Sequence, residues 1–284
     1  MSPPASARRG VVLCADDFAL GEPVSWAIAE LAAAGRLGAL GAMTAGARWS
    51  GAWALLRDLP AEVSVGLHVN LVEGHGLYDG QAFAGPAALA LRAFSGRLDR
   101  AKLAAEIDAQ WRAFEDRSGR APDFVDTHQH VHLLAPVREA LLDAIAARGG
   151  RIPVRSLWPA VGPANSRTKR LAFRLLGAAA LARRLDATGL AANRAFGGLQ
   201  AFDSPASVEH DWREMLRVLP DGALVACHPA LSAEPGDAIG PFRVAEYRWL
   251  AGEAFAAASR DAGIDWRPGP RARPDGAEAA GAPA

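Results

Sequence analysis

The chain has 284 residues, half of them apolar, and its 31 basic side chains balance 31 acidic ones. That size and apolar share suffice for one large buried core, and without a block of like charge there is neither a nucleic-acid footprint nor a polybasic membrane patch. The only cysteines, Cys14 and Cys227, make no disulfide framework and no Cys-x-x-Cys zinc site, which points to a reducing, cytoplasmic setting and leaves any metal to histidine and carboxylate.

Val11 to Ala15 is a wholly apolar run stopped by Asp16 and Asp17, the pattern of a strand buried on both faces that reaches a polar edge. The run is too short for a signal-peptide core, and no stretch approaches the roughly 18 apolar residues of a membrane span. Pro23 opens a helix on which Val24, Ile28 and Leu31 share a face and which Gly35 closes. Leu37 to Thr44 reads as a second strand, Trp49 to Leu59 as a helix, and Val63 to Leu71 as a third strand carrying His68. A glycine-rich surface excursion runs from Val72 to Gly96. Between Leu98 and Arg117, Leu103, Ile107, Trp111 and Phe114 form one apolar stripe that Gly119 ends. Phe124-Val125 then leads into the histidine-rich segment Asp126 to His132, and a helix from Pro136 stops at Gly149-Gly150. Ile152 to Val154 reads as a brief strand, Ser166 to Leu185 and Ala206 to Leu219 as helical, and Ala223 to Cys227 as a strand ending at His228. Val244 to Ala262 is a last long helix and Ile264 to Trp266 a last strand. This alternation predicts a single α/β domain of parallel β/α units over 11–266, either a barrel or an open doubly wound sheet. Residues 1–10 read as a flexible N-terminus and 267–284 as a disordered tail.

Asp16-Asp17, His68, His128 and His228 each fall at the carboxyl end of a predicted strand or just beyond it, and in both parallel architectures ligands sit at that rim. Two adjacent carboxylates at a buried strand end repel each other and lose hydration, so a nearby cation is the simplest way to keep both ionised. The alternative is that Asp17 caps the next segment while Asp16 faces solvent. His68 stands in an otherwise apolar strand, as a ligand or as a hydrogen-bonded core histidine. In Asp126-Thr127-His128-Gln129-His130-Val131-His132, an extended backbone points His128, His130 and His132 to one face, and three of the chain's seven histidines are here. One or two of them can serve a metal, with the remainder left for substrate or for orienting work, and Asp126 is within reach of an imidazole. His228, at an edge closed by Pro229, suits proton transfer to a leaving group, the other option being an exposed strand-end histidine. His75 and His210 lie in polar surroundings and suggest no such role. One carboxylate and two histidines leave coordination positions open, as a catalytic site requires. A cation held so lowers the pKa of a water and polarises a carbonyl, which makes hydrolysis the natural reaction.

The segments Ala15-Asp16-Asp17-Phe18, Gly66-Leu67-His68-Val69-Asn70-Leu71, Asp126 to His132 and Cys227-His228-Pro229, in this order, resemble the YdjC-like family of carbohydrate deacetylases. That family includes chitooligosaccharide deacetylases and a deacetylase associated with hopanoid biosynthesis. The resemblance covers Val11 to Trp266 and implies a distorted, incomplete (β/α) barrel, TIM-like, with mostly parallel strands. It implies removal of the acetyl group from an N-acetylated amino sugar in an oligosaccharide or glycolipid. By the family's pattern Asp17, His68 and His128 hold one divalent cation and Asp16 is the general base; histidine and carboxylate donors admit magnesium, zinc or others, and His228, at its strand edge, is then expected to protonate the departing amine. Asp126, His130 and His132 are then left to orient a ligand or contact substrate. The resemblance also allows a homodimer. The family usually has glycine where this chain has Ala19 and Ala230; if the first of these adopts positive φ, alanine is strained there. Two other readings stay open: a barrel amidohydrolase acting on another C–N bond, for which His130-Val131-His132 offers a His-x-His pair, and a metal- or sugar-binding barrel without catalysis.

Overall fold

In the computed structural model, which describes residues 8–202 and 204–272, the first apolar run becomes β1 (Arg9–Phe18), extended through both aspartates. The chain continues with α1 (Glu22–Ala33), β2 (Ala39–Ala42), a short α2 (Trp49–Ala52) running into a 3-10 turn, and β3 (Ser64–Val69). Next come α3 (Pro86–Phe94), α4 (Arg100–Ser118), β4 (Val125–Thr127), α5 (Ala135–Ala146), α6 (Arg167–Leu176), α7 (Ala178–Thr188) and β5 (Ala195–Gly197). The last elements are α8 (Val208–Val218), β6 (Ala223–Cys227), α9 (Gly240–Ala251), α10 (Glu253–Asp261) and β7 (Ile264–Trp266).

The strands form one sheet in the order β4-β3-β2-β1-β6-β5, with β7 set against the N-terminal part of β1. Every strand pairing is parallel, so each neighbour is reached by a crossover that puts helices on the outer face. The sheet curls until its edges β4 and β5 approach a common segment, residues 153–161. Val125 N–H donates to Pro153 O at 2.9 Å and Arg155 N–H to Val125 O at 3.2 Å, while Val161 N–H donates to Phe196 O at 2.8 Å and Phe196 N–H to Pro159 O at 3.0 Å. This is an incomplete (β/α) barrel with an irregular seam. The seam is where a strand was expected at Ile152 to Val154, and only an isolated bridge forms there, at Val154. Pro153 and Pro159 have no N–H to continue a ladder.

Other departures have equally local causes. The expected helix from Ser166 to Leu185 breaks at Gly177, at φ 124°, and the expected last helix divides at Gly252 into α9 and α10. The excursion from Val72 to Gly96 contains α3, none of whose residues is fully buried. Strand β5 is three residues long, too short to show a period. β1 begins at Arg9, inside the stretch read as flexible, and Arg267 and Gly269, inside the stretch read as tail, donate to Val11 O and Gly38 O. Residues 1–7 and 273–284 lie outside the described residues. Among those described, no helix is long and apolar enough to cross a membrane.

The core lies between the sheet and the outer helices, with Trp111, Phe114 and Phe124 buried on one side and Trp212, Phe242 and Phe255 on the other. At the carboxyl rim, strand register does the assembly: His68 is opposite Asp126, and Ala15 is opposite Cys227, one residue before His228. Residues far apart in sequence therefore meet at one end of the sheet.

Candidate metal centre and catalytic site

Neighbours on a regular strand point to opposite faces, yet Asp16 and Asp17 are both buried in one polar cluster. The register between β1 and β2 shifts between Ala15 and Phe18, and Asp17 sits at φ 69°. A bulge of this kind re-aims a side chain, and aspartate is among the few residues that tolerate the left-handed region. Ala19 follows at φ 73°, so the strain expected of an alanine at this position is present; Ala230 is not in the left-handed region. Replacing Ala19 by glycine is expected to raise stability by about 0.5–1 kcal/mol, read as a higher urea midpoint with an unchanged slope.

Asp17 Oδ1 lies 2.8 Å from His128 Nδ1 and 3.3 Å from His68 Nε2, and the other oxygen, Oδ2, accepts from Arg243 Nη2 at 2.8 Å. Ligand-type atoms of Asp17, His68 and His128 all lie within 4.8 Å of one another. His68 is oriented from behind, its Nδ1 2.6 Å from Asp126 Oδ1, and its ring lies over Gly41, where a Cβ would come within 3.2 Å of it. His68 Nε2 is buried and makes no hydrogen bond. An orphaned imidazole nitrogen aimed at a carboxylate, beside a second imidazole, is a donor set that fits a divalent cation.

Burial pushes the Asp17 carboxyl up, but His128 and Arg243 outweigh it and hold it well below the usual range. Burial lowers the pKa of His68, against Asp126 and Asp16, which bring it up to about 10. His128 is raised likewise, its burial overcome by Asp17. Two imidazoles that attract protons this strongly mark a place where positive charge is favoured.

Asp16 is gripped by a guanidinium. Arg155 Nη1 and Nη2 donate to Asp16 Oδ2 and Oδ1, both at 2.6 Å, and Nη2 also lies 2.7 Å from Asp126 Oδ2. Burial raises the Asp16 carboxyl, yet Arg155 carries it far below its ordinary value, so Asp16 stays ionised. His228 Nε2 is 4.0 Å from Asp16 Oδ2. Burial lowers His228 to about 4, so its imidazole is neutral at neutral pH.

The histidine triplet is not extended. Strand β4 ends at Thr127, and His128–Leu133 is a 3-10 turn with Gln129 and His130 at φ 51° and 55°. The expected single face is therefore lost: His128 meets Asp17, His130 packs between Phe173 and Phe196, and His132 turns inward. His132 Nδ1 lies 2.7 Å from Thr127 Oγ1 and Nε2 lies 3.1 Å from Arg155 O. His130 and His132 form no His-x-His metal pair. His210 is exposed beside Glu214, and His75 pairs with Ala82 in the excursion.

Sequence reading missed Arg155, Arg243, Glu246 and Glu73. Arg155 follows the Ile152 to Val154 run as a charge at an apolar strand end, a legible signal. Arg243 and Glu246 stand three apart on the buried face of α9, beside Phe242, Trp249 and Leu250. Glu246 accepts from His228 N–H, from Trp212 Nε1 at 3.0 Å and from Gln200 Nε2 at 3.1 Å, and burial raises it to about 7. It ties down the backbone that carries His228. Glu73 Oε2 lies 3.2 Å from His128 Nε2.

The chain is 32% identical over 134 residues to a chitooligosaccharide deacetylase of Klebsiella pneumoniae, covering 46% of this chain and 53% of that protein. It is 30% identical over 166 residues to the human carbohydrate deacetylase, covering 55% of this chain and 51% of that one. It thus spans about half the length of the curated relatives it matches. A solved Enterococcus faecalis structure, provisionally named a cellobiose-phosphate cleavage protein, shares the fold at a TM-score of 0.66 and 17% identity, over 92% of this chain and 97% of that one. The family model described as YdjC-like protein matches residues 10–261, a span that takes in both aspartates and all of the histidines gathered at this rim, and the chain belongs to that family.

Proposed function

We propose that the protein is a metal-dependent hydrolase that removes the acetyl group from an N-acetylated amino sugar, within a catalytic unit spanning 11–266. The observation that carries this is the convergence, at one strand-end rim, of a one-carboxylate, two-imidazole cluster with a second carboxylate and a further histidine. The names of the relatives, chitooligosaccharide and carbohydrate deacetylase, support the choice of substrate. Asp17, His68 and His128 would hold one divalent cation, and this mixed oxygen and nitrogen donor set admits zinc or magnesium. When bound, the cation supplies Lewis acidity toward a water and toward the acetamide oxygen.

The remaining steps belong to side chains. Asp16, kept ionised by Arg155, takes the proton of the attacking water. Its basicity is low, so its contribution lies in being held in place by two charge-assisted hydrogen bonds while Oδ2, the oxygen nearer His228, keeps a lone pair free to accept. His228 protonates the departing nitrogen. Because its imidazole is neutral at neutral pH, the proton it delivers must first reach it, and Asp16, 4.0 Å away, is placed to relay the one taken from water. Acetic acid, which ionises to acetate by giving its proton to the amine or to solvent, and a free amino group result, with both side chains returned to their starting states. The two cysteines are buried and unpaired, which supports the cytoplasmic setting.

Acetate release from N-acetylglucosamine oligomers and from N-acetylglucosaminyl lipids, measured with and without chelator, tests the proposal. Release that chelation stops and zinc or magnesium restores is the expected result. Metal-loaded protein that releases acetate from no acetylated glycan sinks it in favour of a binding protein.

A further inference from the structure

We infer that Glu73 is the outer partner of His128, and that His128 therefore presents Nδ1 to the cation while its Nε2–H is held by the Glu73 carboxylate. The inference rests on the metal site proposed above and adds a residue and a ring orientation to it. The geometry is directional. His128 Nδ1 and His68 Nε2 both face Asp17 Oδ1, at 2.8 and 3.3 Å, so the point of convergence lies on the Nδ1 edge of the His128 ring. Its Nε2 faces outward, 3.2 Å from Glu73 Oε2. An imidazole that ligates through one nitrogen carries its proton on the other, and that proton needs an acceptor to fix the tautomer and the ring plane. For His68 the same task falls to Asp126, at the opposite nitrogen. The two histidines are thus bound in opposite senses, each with a carboxylate behind it.

The local sequence builds a turn that delivers Glu73. Asn70 Oδ1 accepts from the N–H groups of Val72 and Glu73, both at 3.0 Å, and Asn70 Nδ2 donates to Glu73 O at 2.6 Å. Asn70 is itself clamped from α4: its N–H donates to Gln110 Oε1 at 2.9 Å and Gln110 Nε2 donates to its carbonyl at 2.6 Å. Gly74, at φ 73°, then takes the chain away. The span from ligand His68 to Glu73 is a closed, anchored loop that returns a carboxylate to the next ligand. Among the described residues the Glu73 carboxylate has no other hydrogen-bond or ion-pair partner. The side chain is 53% exposed, so removing it does not threaten the core.

Zinc titration of the full chain, stripped of metal beforehand, reads the inference without any substrate. Glu73→Ala is expected to bind zinc about 10-fold more weakly, the lower end of the range for such partners because water can replace an exposed carboxylate. Glu73→Gln, whose amide oxygen still accepts, is expected to recover most of that loss, and Asn70→Ala to reproduce it. In zinc-loaded protein with 15N-labelled histidine, His128 is expected to show a protonated Nε2 and a metal-bound Nδ1. Equal zinc affinity in wild type and Glu73→Ala, or a proton on Nδ1, overturns the inference. A wild type that binds no zinc overturns it together with the metal site. Glu73-dependent zinc binding in a protein that releases no acetate upholds it and sinks only the deacetylase proposal.

Discussion

Asp16→Asn is expected to lower kcat by about 10³-fold, the range of a lost general base, while zinc or magnesium is still bound. The substitution is nearly isosteric and keeps one acceptor oxygen toward Arg155, and Asp17, His68 and His128 are untouched. What disappears is a site for the water's proton and, with it, the relay to His228 across 4.0 Å. Metal content and single-turnover acetate release, measured on the same sample, separate the outcomes. Full activity would remove Asp16 from the role of base. Loss of the metal would instead make Asp16 a ligand, which the second convergent group, Asp16, His68 and Asp126, makes a real alternative. Arg155 argues against that alternative, since its guanidinium already lies against Asp16 and Asp126.

Arg155→Met is expected to cost about 3–5 kcal/mol of stability at neutral pH, because it strips the cation from two fully buried carboxylates. The pH dependence follows from the direction of the Asp16 shift. In the wild type its folded-state pKa lies far below the unfolded value of about 3.9, so the associated stability is present above that pH and is lost as pH falls toward the folded value. Without Arg155, burial raises the Asp16 pKa against only the neighbouring imidazoles of His68 and His228, which lower it. The deficit of the variant is therefore expected to be largest near pH 7 and to narrow as the pH drops below about 4. Urea unfolding at several pH values checks this; a deficit that does not vary with pH would mean that lost packing, not unpaired charge, is the cause.

Much of the architecture could be read from local pattern. The apolar runs at Val11 to Ala15 and Ala223 to Cys227, the helical stripe of Leu103, Ile107, Trp111 and Phe114, and the strand around His68 all reappear as β1, β6, α4 and β3. Elements whose signal is a period over several turns, or an apolar run bounded by charge, were legible because burial writes that pattern directly into the chain. The three-residue β5 and the proline-broken seam at 153–161 carry no such period, and only pairing across the sheet gives them a place.

The rim separates in the same way. Asp16, Asp17, His68, Asp126, His128 and His228 stood out together because, although most have a bland explanation singly, their joint fall at the carboxyl ends of apolar strands does not. Their grouping was foreseeable, but the orientation of each side chain was not. An extended triplet predicted one face for His128, His130 and His132, whereas left-handed backbone at Gln129 and His130 sends the three rings to different partners. The alternative in which Asp17 caps the next segment and Asp16 faces solvent is set aside by a register shift in β1, which leaves both buried. Arg155, Arg243 and Glu246 reach these residues across 139, 226 and 18 positions of sequence. The parallel α/β plan and the residue types at the rim follow from periodicity and from the cost of burying charge, and both are written in the chain. Which carboxylate faces a guanidinium and which faces two imidazoles depends on a bulge, a turn and long-range ion pairs, which leave no local pattern and arise only on folding.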